Sequence, residues 1–228
     1  MVVQKRYSNS ILQELPSGEL ASIASELKQI ELSKGAVLFE PDTIATSVYF
    51  PIDSVISFLG DTGEGGSVEV WAVGSEGIAG ISGTLGKTKP FRGVVQVPGR
   101  AFVSEASVFR KSFHHFSSFH DAVLAYFEDL LLQISYVGIC NNLHPIEQRF
   151  CRWLLMIRDR TRTNDLKFTQ EAIAAILGTR RATISEAAAG LQAAGLISYT
   201  PGSITIRSRK ALEKVACRCY KLMSAHRI

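Results

Sequence analysis

The chain has 228 residues, 46% of them hydrophobic, enough to bury one large core or two small ones. Its formal net charge of +4 is unevenly spread: residues 1–143 balance at −5 and residues 144–228 at +9, so a polyanion is expected to meet only the C-terminal part. Four cysteines, Cys140, Cys151, Cys217 and Cys219, are too few and too irregular for a secreted disulfide framework.

The opening "MVVQKRYSNS" has no apolar core of signal-peptide length, and no later run is read as reaching membrane-spanning length. A cytoplasmic protein without a membrane is therefore expected. One or two short helices come first, the second starting at Pro16 and Ser17, with Leu20, Ile23, Ala24 and Leu27 at helical spacing. From Glu31 to about Ser104 the pattern turns to short β segments: "AVLFE", "SVYFPI", "SVISFL", "SVEVWAV", "GVVQVP" and "RAFVSE". Their spacing predicts an N-terminal β-barrel or sandwich, and no βαβ helix interrupts them. "GDTGEGG" reads as a hairpin loop; it lacks the Gly-Lys-Ser/Thr ending of a phosphate loop.

After Ser107 the chain becomes helical. His120, Val123, Phe127, Leu130, Ile134, Val137 and Asn141 recur at alternating steps of three and four, the a and d positions of a heptad repeat. This predicts a helix that pairs with a second copy through Val123, Phe127, Leu130, Ile134 and Val137. "NNLHPIEQRF" then marks a hinge, with Pro145 starting a helix that buries Ile146, Phe150, Trp153, Leu154 and Ile157.

The stretch "TQEAIAAILGTRRATISEAAAGLQAAGLI" follows. Thr169 caps a helix with Ala172, Ile173, Ile176 and Leu177 inward, Gly178 allows a sharp turn, and a second helix follows over about 180–193. Its inward residues are Ile184, Ala187, Ala188 and Leu191, which leaves Arg180, Arg181, Ala182, Ser185 and Glu186 outward. "LISYTPGSITI" adds two strands around a Pro-Gly turn, completing a winged helix-turn-helix. The chemistry suits DNA. Arg181 or Arg180 can donate two hydrogen bonds to guanine O6 and N7, Glu186 can accept from a cytosine amino group, and Thr183 and Ser185 can reach phosphate or base edges.

A β-rich N-terminal part, a long helix, a hinge and a winged helix-turn-helix together resemble the Crp/Fnr family of transcription regulators. The likeness spans essentially the whole chain and is strongest in "EQRFCRWLL", the helix-turn-helix stretch and "ACRCY". It implies an α+β protein: a jelly-roll-like sensory β-barrel over 1–110, a dimerisation helix over 111–143 and a DNA-binding domain over 144–228. It further implies a homodimer on a two-fold symmetric operator, with RNA polymerase as a further partner. By position, Arg181 falls on the family's main base-reading arginine, and Thr169, Gln170 and Thr183 on phosphate contacts. Ala182 and Glu186 stand where the best-known members carry Glu and Arg, so a different operator is expected.

The sensory half departs from the family's nucleotide site. Arg92 matches a phosphate ligand, but Gly80 stands where the ribose-binding acid belongs and Gly93 where the hydroxyl belongs. Glu76 is offset by four residues. These departures argue against a cyclic nucleotide and leave Arg92 to bind another anion or to pair with a surface carboxylate. No cysteine precedes Cys140, which argues against an N-terminal iron–sulfur cluster. His114, His115 and His120 are the candidates for a haem ligand, and solvated histidines are the commoner reading of such positions. Cys217-x-Cys219 without other nearby ligands gives no metal site. The competing classes are an enzyme, for which no GxSxG, HExxH or phosphate loop is present, and a regulatory subunit whose C-terminal domain contacts protein.

Overall fold

A computed structural model describes residues 8–63, 66–82 and 86–225. Glu64 and Gly65 of the expected hairpin loop lie outside the described residues. The chain divides into two compact units, Met1–Leu59 with Trp71–Leu131, and Gly60–Val70 with Leu132–Ile228. Within the long helix, the residues from Leu132 onward go with the C-terminal unit.

The chain begins, among the described residues, with α1 (Ser10–Gln13) and α2 (Ser17–Ser25), followed by seven strands: β1 (Lys28–Leu32), β2 (Val37–Phe39), β3 (Ser47–Pro51), β4 (Val55–Asp61), β5 (Ser67–Val73), β6 (Phe91–Val97) and β7 (Gly99–Glu105), all in the first unit but for the ends of β4 and β5 that fall within Gly60–Val70. They form two sheets, ordered β1-β7-β3 and β2-β6-β4-β5. Of the two expected arrangements, barrel or sandwich, the sheets make the sandwich and do not close into a barrel. Strand periodicity explains how the layers assemble. In β3, Val48 and Phe50 point to a helix-side core, while Tyr49 points to the core that Leu32, Ile56, Phe58, Val73, Val95 and Ala101 build from both sheets. Phe102 and Ala101 divide in the same way on β7. One sheet thus has helices on one face and its partner sheet on the other. β1 was only half anticipated, because Lys28, Gln29 and Glu31 supply an edge strand with little apolar signal.

Two further helices follow, α3 (Ala106–His115) and α4 (Ser117–Leu143). Phe109 of α3 and Phe119, Val123 and Tyr126 of α4 close the helix-side core, and the Tyr126 hydroxyl donates to the Ile78 carbonyl at 3.2 Å. At 27 residues α4 is about 40 Å long. By length and composition it is apolar enough to cross a membrane, contrary to the expectation that no run reaches that length. Its apolar surface has other uses: one face closes the core, and Asp121, Glu128 and Asp129 interrupt the rest.

The second unit is built around α5 (Ile146–Thr161), in which every residue from Phe150 to Ile157 is buried. Around it lie β8 (Asp165–Leu166), α6 (Gln170–Leu177), α7 (Arg181–Ala193), β9 (Ile197–Thr200), β10 (Ser203–Ile206), α8 (Arg209–Val215) and α9 (Cys219–Ser224). β8, β10 and β9 make a small antiparallel sheet in that order; the two-residue β8 had no readable sequence signal. The Tyr220 hydroxyl donates to Asp159 at 2.6 Å, and Arg209 reaches both groups, fixing α8 and α9 to the end of α5.

Candidate nucleic-acid interface

The helix-turn-helix starts from a cap. The Thr169 hydroxyl oxygen accepts from the Ala172 N–H at 3.1 Å, satisfying one of the first free donors of α6 and leaving the hydroxyl proton available to an outside acceptor. α6 ends where Gly178 takes φ +60° and ψ +48°, a left-handed conformation that side chains with a Cβ adopt at a cost. The Thr179 N–H then bonds back to the Ala174 carbonyl at 2.9 Å and the Gly178 N–H to Ala175 at 3.2 Å, the paired bonds of a Schellman turn. Arg149 of α5 donates to the Leu177 carbonyl in the same turn. That clamp carried no sequence signal, because Arg149 precedes its acceptor by 28 residues.

The turn sets the facing of α7. Ile184, Ala188 and Leu191, at helical spacing, are buried against the rest of the unit. Arg180, Arg181, Ala182, Ser185, Glu186 and Ala189 are exposed, and Thr183 is half-buried at the margin. Among the described residues, Arg180, Arg181, Ser185 and Glu186 have no hydrogen-bond or ion-pair partner, so their polar groups face solvent. Thr169 is exposed and Gln170 half-buried beside them at the start of α6. α7 begins at Arg181 and Arg180 is its extended capping residue, a shift of one position from the expected start. In the wing, Pro201 and Gly202, the latter at φ +80°, turn the chain between β9 and β10.

The nucleotide-site positions lie in the first unit and are closed. Phe39 pairs in register with Gly93. A Cβ on Gly93 would sit 2.3 Å from the Phe39 ring, and a Cβ on Gly80 would sit 2.7 Å from the ring and 2.4 Å from the Ser47 carbonyl oxygen. The ring is held in place by stacking on Phe58 at 5.7 Å and by an edge contact with Tyr49 at 5.6 Å. One aromatic side chain therefore occupies the space that both an acid at 80 and a hydroxyl at 93 would need. Arg92 Nε lies 3.0 Å from Glu40 Oε2, both half-exposed, which is the surface-carboxylate alternative. The buried Glu76 folds back on the Gly74 N–H at 2.9 Å. His120 pairs with Asp121, and His114 and His115 occupy the last turn of α3.

On α4 the expected dimer residues divide. Val123 is fully buried in its own unit and cannot meet a second chain, so that assignment is corrected. Phe127 and Leu130 pack in part against the same core; Ile134 and Val137 are half-buried. The exposed apolar residues are Leu124 (47%), Leu131 (66%), Ile139 (45%) and Leu143 (73%). Leu124, Phe127, Leu131, Ile134 and Gly138 also step by alternating threes and fours. This second series keeps Phe127 and Ile134 of the expected one and takes Leu124, Leu131 and Gly138 in place of Val123, Leu130 and Val137.

Together these parts are a β-sandwich, a long helix and a winged helix-turn-helix. Residues 148–215 match the Crp-like helix-turn-helix domain, and the whole chain has the fold of Crp/Fnr transcriptional regulators. FixK2 from Bradyrhizobium japonicum aligns with a TM-score of 0.71 at 14% identity, over 84% of this chain and 98% of that one. A protein from Eubacterium rectale, described as a Crp/Fnr-family transcriptional regulator, gives 0.69 at 17% identity, over 90% and 97%. One from Silicibacter pomeroyi, described as a cAMP-binding regulatory protein, gives 0.64 at 20% identity, over 95% and 99%. No curated protein sequence matches the chain.

Proposed function

We propose that this protein is a sequence-specific transcription regulator that binds DNA as a homodimer in the cytoplasm, with α7 in the major groove. The observation that carries the reading is the exposed face of Arg181, Ser185 and Glu186, free of internal partners and aimed by a Schellman turn. Arg181 reads a guanine, Glu186 faces a cytosine amino group, and Arg180, Thr183 and Ser185 contact phosphate or base edges. Thr169 and Gln170 hold a phosphate at the start of α6, where helix N–H groups also point. Two chains pair through the exposed stripe of α4, which sets two recognition helices about 34 Å apart on a two-fold site. The same reading takes RNA polymerase as a further partner.

The signal enters through the first unit by a route other than the family's ribose and phosphate contacts, because Phe39 fills that space. Arg92 is at most an accessory to such a signal while it pairs with Glu40. The test is selection of duplexes from a random pool with the full chain, followed by anisotropy titration over a range of salt. A recurrent inverted repeat, with affinity falling steeply as salt rises, is expected from counterion release. Failure to enrich any sequence, with binding indifferent to salt, would instead favour the protein-contacting regulatory subunit.

A further inference from the structure

The sequence gives Cys217 and Cys219 no visible co-ligands. Folding of the second unit supplies them. Cys140 lies in the last turn of α4, His144 follows one turn later, Cys217 lies in the link between α8 and α9, and Cys219 opens α9. Their donor atoms all fall within 4.8 Å of one another. Cys140 Sγ is 3.4 Å from Cys217 Sγ, and Cys219 Sγ is 3.7 Å from His144 Nδ1. The three cysteines are buried and His144 is partly exposed at the edge.

We propose that Cys140, His144, Cys217 and Cys219 form a mononuclear zinc site that ties the end of α4 to the C-terminal segment. Zinc bonds to sulfur of about 2.3 Å and to nitrogen of about 2.0 Å make tetrahedra with edges of about 3.5–3.8 Å. The separations of 3.4 and 3.7 Å lie within about 0.4 Å of such edges. The donors are too close together to enclose more than one ion, which sets aside a polynuclear iron–sulfur cluster. Three thiolates, one imidazole and no open position describe a closed structural site. Binding releases three thiol protons and leaves the site with a charge of −1. Arg152 is close enough to Cys140, and Arg149 to Cys140 and Cys217, for their charges to act on these thiols. Arg152 is itself buried; its Nη1 donates to Met156 Sδ at 3.2 Å, and its Nε has no hydrogen-bond partner among the described residues. A buried cation there balances the charge of a three-thiolate site. The geometry also needs no metal to bring the parts together, since Tyr220 and Asp159 already hold the start of α9 against α5. Cys151, by contrast, belongs to no such cluster among the described residues; burial, with the nearby Glu147, pushes its thiol up to about 12, and it stays a core thiol.

The site is independent of the DNA reading and is tested without DNA. The full chain, expressed without a histidine tag and purified under reducing conditions without chelator, is analysed for metals by mass spectrometry. About one zinc per chain is expected, retained by Cys151→Ser and lost from the Cys217→Ser/Cys219→Ser double variant. Because that double variant can fail for want of folding, His144→Cys and His144→Ala form a second pair. The first preserves four ligands and should keep zinc through dialysis against a chelator; the second should lose it. Cobalt added to stripped wild-type protein should give the absorption of a tetrahedral thiolate site. A wild-type chain that carries no zinc and takes up neither zinc nor cobalt would overturn the proposal. So would iron in place of zinc, or a Cys140–Cys217 disulfide in the freshly purified protein.

Discussion

Arg181 stands on the first turn of α7 with its guanidinium in solvent, and its position follows from two local features, the Gly178 turn and the buried series Ile184, Ala188 and Leu191. Arg181→Ala is expected to weaken binding to the selected site by about 1–3 kcal/mol and to relax preference at one base pair. Anisotropy titrations against single-base variants measure this; an equal loss on every sequence would reassign Arg181 to phosphate. At the opposite end of legibility is Phe39. Nothing near it in sequence points to Gly93, because the two residues meet only through the register of β2 and β6. Restoring the family's hydroxyl with Gly93→Ser should therefore destabilise the first unit by overpacking, by about 1–3 kcal/mol. Urea denaturation reads that loss, and an unchanged midpoint would mean that the Phe39 ring swings aside.

Among the elements, α4 carries the heaviest double duty. Val123, Tyr126 and, in part, Phe127 and Leu130 close the helix-side core, while Leu124 and Leu131 are left in solvent. A helix of period 3.6 offers neighbouring three-four series, and only burial decides which one a core consumes. Leu131→Glu should leave the protomer folded and shift the protein towards monomer in sedimentation runs at low concentration. Leu130→Lys should lower the thermal midpoint instead, since it places a charge against the core. A Leu131→Glu chain that remains fully dimeric would remove α4 as the pairing surface. That a long helix follows the strands was plain in the sequence; its unbroken apolar length and the face left to a partner were not.

For the whole molecule, the decisive contrast is between a sandwich in which Phe39 fills the space beside Gly80 and Gly93 and a basic unit that leaves Arg180, Arg181, Ser185 and Glu186 exposed. A ligand present at 100 times its dissociation constant adds about 2.7 kcal/mol of stability. Neither cyclic AMP nor cyclic GMP in excess is expected to move the thermal unfolding of the full chain. A clear upward shift would show that the first unit opens around Phe39 and would restore the nucleotide-gated reading. The +9 balance of residues 144–228 belongs to the same contrast, because in the proposed function it supplies the long-range attraction to DNA that Arg181 alone does not.

What the sequence determined by itself is what local physics writes into it. Helix periodicity, the Thr169 cap, the Gly178 stop and the Pro201-Gly202 turn fix the winged helix-turn-helix and its outward arginines, since each depends on residues within a few positions of one another. The tertiary structure alone decided three matters: that Phe39 closes the space beside Gly80 and Gly93, that Val123 belongs to the core and Leu131 to the surface, and that Cys140 and His144 meet Cys217 and Cys219. Each joins residues far apart along the chain or depends on which surface the core consumes. Such contacts leave no local pattern, because folding, and not spacing, brings the partners together.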